Sequence, residues 1–263
     1  MYPLAYTLCL AACLRPLERG LMRDMPWDIV LIFFVLGVVV PWRGRVRLKQ
    51  LLAKPHVESS ERLALYSSTI AFQWIAVGIA GWRAWAHRFT LEQLGLSWGA
   101  PALIAGFAIL GTAVIVALQW LNLRRIGRST SPARAPLQAL AQRILPQSPR
   151  ELVLFSALAV TAGVCEEFLY RGFAMASLQR ASLPVWLVVL ISAVLFGLAH
   201  LYQGPGGLVA TTILGLLFGF SRIWLGTLVP VIAWHIGVDM VAGVAGPRYL
   251  VQRTSIPEHG SLA

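Results

Sequence analysis

Charge is scarce in this 263-residue chain. Asp, Glu, Lys and Arg together make up 13% of it, against about 25% in soluble domains. Hydrophobic residues reach 57% and the mean hydropathy is +0.70, more apolar surface than one water-soluble core of this size can hide. A soluble cytosolic enzyme and a disordered protein are therefore excluded. Cysteine is equally thin. Cys9, Cys13 and Cys165 are odd in number and lack paired spacing, which excludes a disulfide scaffold and a zinc-finger pattern. Cys165 sits in an apolar helix and reads as a small hydrophobe, with a reactive thiol beside Glu166 as the alternative. Lysine is scarcest, at two residues against twenty arginines, and that ratio points to a GC-rich, bacterial genome. Acidic residues number eleven, leaving a net charge of +11. In a soluble protein this excess would suggest nucleic acid. Here the basic residues are scattered between apolar runs and form no stripe, as in loops lying beside anionic lipid. No nucleic-acid partner is expected.

The chain does have long apolar runs. Six strong ones cover 27–42, 63–82, 101–121, 151–179, 183–202 and 206–226, and a seventh covers 227–245 with Pro230 near its start. The expected fold is all-α, a polytopic transmembrane helix bundle of about seven spans. A short extra N-terminal helix fits residues 2–14, which are too few to cross a bilayer alone. That stretch lacks a basic n-region, so it makes a poor signal peptide. Leu10-Ala11-Ala12-Cys13 looks like a lipoprotein cleavage box, a reading that the following spans disfavour. Gly204-Pro205-Gly206-Gly207 is read as the turn between the fifth and sixth spans. Gly215 and Gly219 would let the sixth pack closely on a neighbour. Three regions result: N-terminal spans with basic loops over 1–150, a core over 151–245 and a tail over 246–263.

The loops orient this bundle. Arg43, Arg45, Arg47, Lys49, Lys54 and Arg62 lie between the first two spans, and Arg124, Arg125, Arg128, Arg134, Arg143 and Arg150 between the third and fourth. The intervening loop has only Arg83 and Arg88. The positive-inside rule places the two basic loops in the cytoplasm, with the C-terminal tail. The protein is then a multi-pass integral protein of the bacterial cytoplasmic (inner) membrane. Arg15, Arg19 and Arg23 conflict with this orientation unless the first apolar stretch enters the membrane.

Charges within the spans locate the chemistry. Glu166, Glu167, Arg171, His200, His235 and Asp239 all lie well inside apolar runs, where each charge costs about 2.5–3.5 kcal/mol on insertion scales. Such residues face an interior or a watery cavity. Glu167 and Arg171 are four apart and share a helix face, so they form a neutralising ion pair. Glu166 is rotated by about 100° from that face and is free of the pair, with His200 or His235 the candidate partner. His235 and Asp239 also share a face, as do Phe196 and His200.

These residues resemble a known family. Glu166-Glu167-Phe168-Leu169-Tyr170-Arg171 matches EExxxR, Phe196 to His200 matches FxxxH, and His235 to Asp239 matches HxxxN/D. In this order, on successive helices, the motifs look like those of the CPBP intramembrane proteases, which include type II CaaX-prenyl endopeptidases and relatives linked to bacteriocin processing or self-immunity. The resemblance implies a glutamate-dependent, metal-free endopeptidase. Glu166 and His200 would activate water, His235 and Asp239 would stabilise the oxyanion, and Glu167 and Arg171 would support the geometry.

Hydrolysis by water needs a base, and a carboxylate inside a helix bundle is suited to the task. Asp239 departs from the prenyl endopeptidases, which carry Asn there. An ionised aspartate repels an oxyanion, so His235 is expected to be the donor, with Asp239 fixing its tautomer. No cofactor is expected. The alternative is zinc on Glu166, His200 and His235, although HExxH is absent. The expected partners are the bilayer and a membrane-associated peptide or protein substrate of unknown identity, with an exported or anchored peptide ranked above a prenylated one. A proton-coupled transporter using the Glu/His relay and a non-enzymatic immunity partner remain alternative functions. One conflict stands. Glu166 lies ~22 Å along its helix from the cytoplasmic end, whereas His200 lies near the cytoplasmic end of its own span.

Overall fold

The computed structural model describes residues 25–131 and 134–251. The apolar stretch 2–14 with Cys9 and Cys13, the arginines 15, 19 and 23, and the tail beyond residue 251 lie outside the described residues. Among the described residues the chain forms eight helices and no strand. We label them α1 (Trp27–Leu52), α2 (Ser59–Ala86), α3 (Pro101–Arg128), α4 (Ala135–Ile144), α5 (Pro149–Arg180), α6 (Val185–Ala199), α7 (Gly204–Leu225) and α8 (Val229–Leu250). Five of these, α1, α2, α3, α5 and α8, are long and apolar enough to cross a bilayer, as is α7 with the 3-10 turn before it. α6 is a shorter apolar helix. The seven runs read from the sequence are all helices, and the protein is a multi-pass integral membrane protein.

The helix ends follow local chemistry. Glu58 and Glu61 form a reciprocal capping box at the start of α2, pairing backbone donors that a helix start leaves open. At α5 the Ser148 side chain accepts from Glu151 N, and Pro149 occupies the first turn, where a missing N–H costs nothing. One boundary differs from expectation. Gly204-Pro205-Gly206-Gly207 is the first turn of α7 rather than the connecting turn. The reversal occurs just before it, in a 3-10 turn at Leu201–Gln203, and Gly204 at φ 82 completes it. Pro205 then continues into the helix because its fixed φ suits the first turn. α4 was not anticipated. It is a short helix within the second basic segment, with Ala141 packed against Leu123, Leu145 and Leu250.

The bundle shows its solvent on its surface. Ile109 (70% exposed), Val153 (72%) and Trp224 (75%) face outward, an arrangement suited to lipid and costly in water. Trp27, Trp82, Trp85, Trp98, Trp186 and Trp224 are all exposed at the end opposite the basic loops, as in an interfacial aromatic belt. There Asp28 on α1 pairs with Arg83 on α2 and lies 2.8 Å from His87 Nε2. At the basic end, Arg62 and Glu151 form a buried two-pronged pair at 2.8 and 3.1 Å. Arg62 therefore ties α2 to α5 instead of serving as a loop charge.

α5 is central. α2 packs along one side of it and α8 along another, with α3 beyond α8; α6 packs on α7. Gly163 permits the α5–α8 crossing, since a Cβ there would lie 2.5 Å from Ile236 Cγ1 and 3.2 Å from Ile232 O. Gly215 and Gly219 do the same for α7 against Ala193 and Val189 of α6.

Candidate active site

α5 and α6 form a hairpin that sets the register of the site. The connection around Ser182 is tight, so residues equally distant from it face each other. Ser192 Oγ donates to Tyr170 O at 2.9 Å, and the Tyr170 and Phe196 rings meet edge-on at 5.5 Å. One turn further from the connection on each helix, Glu166 faces His200. The depth conflict thereby disappears. α6 has 15 residues, or ~22 Å, against a hydrocarbon core of about 30 Å. Counted from Trp186 in the aromatic belt, His200 lies ~21 Å along the helix. It is therefore sunk well below the basic end, level with Glu166.

The two glutamates diverge as their rotation requires. Glu167 is fully buried. Its Oε1 accepts from Arg171 Nη1 and from His235 Nδ1, both at 2.8 Å. Arg171, also fully buried, lies 4.1 Å above the Phe196 ring, so the cation has a carboxylate and an aromatic face around it. The segment from Phe168 to Ala174 is wound as a π-helix, a feature frequent at functional sites. Glu166 points the other way. Its Oε1 accepts from Gln73 Nε2 of α2 at 2.7 Å. Its Oε2 is buried without a protein hydrogen bond and lies 4.0 Å from both His200 Nε2 and His235 Nε2.

Hydrogen bonding fixes both imidazoles. His200 Nδ1 is 2.9 Å from Phe196 O. A carbonyl only accepts, so Nδ1 carries the hydrogen and Nε2 is left facing Glu166. His235 Nδ1 donates to Glu167 in the same sense. Asp239 therefore does not orient His235 as expected: its Oδ2 is 3.7 Å from Nε2, beyond hydrogen-bond reach. Glu167 takes that role because the Gly163 crossing brings α8 within reach of it. The structure thus brings Glu166, His200, His235 and Asp239 together around one point, with Glu167, Arg171 and Phe196 behind them.

Gln73 escaped the sequence reading because only charges were sought within spans. Its signal was a lone amide between Phe72 and Trp74 in an apolar run. Cys165 adjoins the cluster in sequence, yet it is buried with no exposed surface. Among the described residues no group of three or more His, Cys, Asp or Glu is disposed to hold a metal. The 4.0 Å separations exceed the ~3.3 Å expected between tetrahedral ligands with bonds of about 2.0–2.1 Å, so zinc would require Glu166, His200 and His235 to close in.

The cluster lines a cavity of about 360 Å³. Its walls are mainly apolar and come from both halves of the chain: α1, α2, α4, α5, α8 and the turn at 199–203.

Residues 148–241 match the family model described as type II CAAX prenyl endopeptidase, Rce1-like. The matched stretch is similar to that family over about a third of the chain. It runs from the residue before α5 into α8 and contains all seven residues from Glu166 to Asp239 placed above. The Rce1-like family is a protease family, and the stretch similar to it is the part of the chain that builds the carboxylate–imidazole cluster. No curated protein and no solved structure matches this chain. The cavity wall supplied by α1, α2 and α4, including Gln73, lies outside the Rce1-like segment.

Proposed function

We propose that this chain is an intramembrane endopeptidase that hydrolyses a peptide bond of a membrane-associated peptide or protein, with Glu166 as the base. The observation that carries this reading is the unpartnered Glu166 Oε2, 4.0 Å from each of two imidazole Nε2 atoms. Three polar atoms converging in a mainly apolar cavity can hold one water against a peptide carbonyl.

Glu166 takes one proton from the water while His200 Nε2 orients it. The water oxygen adds to the carbonyl carbon, the C–N bond breaks, and the proton passes from Glu166 to the leaving nitrogen. The developing oxyanion needs a donor. His235 has Glu167 at 2.8 Å and Asp239 at 3.7 Å, so a carboxylate on each side supports a doubly protonated ring that donates from Nε2. Asp239 acts through this charge and does not face the oxyanion directly. No step calls for a metal. The substrate reaches the site along the cavity from the basic end, which the positive-inside rule assigns to the cytoplasm.

Cleavage of a quenched peptide library by protein in nanodiscs tests this, beside Glu166→Gln and His200→Ala, with and without chelator. Cleavage abolished in both variants and indifferent to chelator is the expected outcome. Cleavage surviving Glu166→Gln would overturn the assignment of the base, and loss with chelator restored by zinc would make the cluster a metal site.

A further inference from the structure

Two arginines stand in the wall of this cavity without a counter-charge. Arg43 and Arg47 are four residues apart on α1, on one helix face, and both line the cavity that Glu166 also lines. Both are half-buried, whereas Arg45 and Lys49, on the opposite side of the same helix, are exposed. Among the described residues neither Arg43 nor Arg47 makes a hydrogen bond or an ion pair; Arg43 only stacks on Phe72, 5.0 Å from the ring centroid. Among the described residues the most deeply buried arginines each have at least one polar partner, although Arg171 Nε and Nη2 and Arg222 Nε make no hydrogen bond. Arg62 has Glu151, Arg171 has Glu167, and Arg222 donates to the Gln93 carbonyl. Like charges four apart on a helix repel, and cations lining an apolar space cost free energy unless an anion joins them.

Their position relative to the cluster is close. Phe72, beneath Arg43, precedes Gln73, which hydrogen-bonds Glu166. Gly44, beside Arg43, faces Tyr202, two residues from His200, and a Cβ on Gly44 would lie 3.4 Å from that ring. A guanidinium pair so near a hydrolytic centre suits a planar, two-oxygen anion held by parallel N–H donors.

We propose that Arg43 and Arg47 form a carboxylate-binding subsite of the cavity, so that the preferred substrate is a largely apolar peptide bearing a carboxylate close to the scissile bond. It rests on the reading that this cavity holds the peptide. The carboxylate comes either from an Asp or Glu side chain or from the peptide's own C-terminus. Apolar walls take the remaining side chains and the arginines fix how far the peptide advances, which places one bond at Glu166.

The test is binding, so that it stands apart from turnover. Full-length protein carrying Glu166→Gln, in phosphatidylcholine nanodiscs, is titrated with fluorescein-labelled apolar 15-residue peptides in matched pairs. One pair differs as free C-terminal acid or amide, the other as internal Asp or Asn. At least one carboxylate member should bind about tenfold more tightly than its neutral twin. Arg43→Gln/Arg47→Gln should erase that preference, while the double lysine variant should keep part of it. Whichever pair shows the difference identifies the source of the carboxylate. Equal affinity within both pairs would overturn the proposal. So would native mass spectrometry, on protein in nanodiscs doped with phosphatidylglycerol, in which the double-glutamine variant loses only that bound lipid, because the arginines would then face lipid headgroups. A carboxylate preference in protein whose Glu166-intact form cleaves no peptide would leave the subsite standing and remove the endopeptidase reading.

Discussion

Adjacent, isosteric substitutions at Glu166 and Glu167 should have opposite consequences. Glu167→Gln removes the carboxylate that pairs with the fully buried Arg171 guanidinium and the Nδ1–H of His235. Breaking a buried pair by neutralising one partner leaves an uncompensated charge, at a cost of about 3–5 kcal/mol. The Phe196 face at 4.1 Å offsets part of this, since a desolvated cation–π contact contributes about 2 kcal/mol, but Arg171 has that contact in the parent protein too. The loss is a large fraction of a typical domain stability of about 5–15 kcal/mol. Glu166→Gln removes no hydrogen-bonded ion pair, since the nearest imidazole nitrogens lie 4.0 Å away. Its Oε2 has no protein hydrogen bond, and the remaining amide oxygen still accepts from Gln73, so the stability change should stay within about 1 kcal/mol. Thermal unfolding in nanodiscs, followed by tryptophan fluorescence, separates the two. Glu167→Gln should unfold many degrees lower, and Glu166→Gln should unfold with the parent and cleave nothing. Equal shifts in both variants, or a Glu167→Gln protein as stable as the parent, would refute the division of labour between the two carboxylates.

Other perturbations test the frame around them. Gln73→Leu deletes the hydrogen bond that positions Glu166. A bond to a charged group contributes about 1.5–3 kcal/mol, so kcat should fall roughly 10- to 150-fold with KM little changed; steady-state kinetics on any cleaved library peptide gives the split. Glu151→Ala should destabilise by about 3–5 kcal/mol in chemical unfolding, and Arg62→Met/Glu151→Leu should recover most of that loss by removing both charges. Gly163→Val sets a branched side chain where Ile236 Cγ1 already lies 2.5 Å from an ideal Cβ. Overpacking should cost about 1–3 kcal/mol, and activity should fall further than stability because α8 withdraws His235 from Glu167. Unfolding midpoints and cleavage rates on the same preparation make that comparison.

The helices were legible because each carries a run of apolar residues that only a bilayer or a large core can absorb. The cluster was legible because charge is rare inside such runs, and spacing separated Glu166 from the Glu167–Arg171 face. What sequence spacing missed is interhelical. Nothing in the local pattern around His235 ranks Glu167 over Asp239 as its partner: Asp239 is one turn away on the same helix, while Glu167 is reached only through the close crossing at Gly163. Arg62 and Arg43 were counted as loop charges because positive-inside reasoning assigns basic residues near span ends to water. One proves to be half of a buried pair and the other lines a cavity. Gln73, neutral and lone in its span, had no partner visible along its own helix.

The short α6 explains why a carboxylate–imidazole cluster can exist at this depth. A span of full length would carry the chain to the basic face before it could turn, and His200 would then sit near bulk water, far from Glu166. With 15 residues, α6 stops ~8 Å short of a core of about 30 Å, and the backbone reverses through Leu201–Gln203 and Gly204. Non-helical backbone is tolerated within a membrane only where it is buried in protein or lines a cavity. The wall containing Tyr202 and Gln203 does line one, shared with Arg43, Phe72 and Glu166. The same truncation therefore places His200 opposite Glu166 and requires a cavity beside it, the two conditions that the proposed hydrolysis in a bilayer imposes.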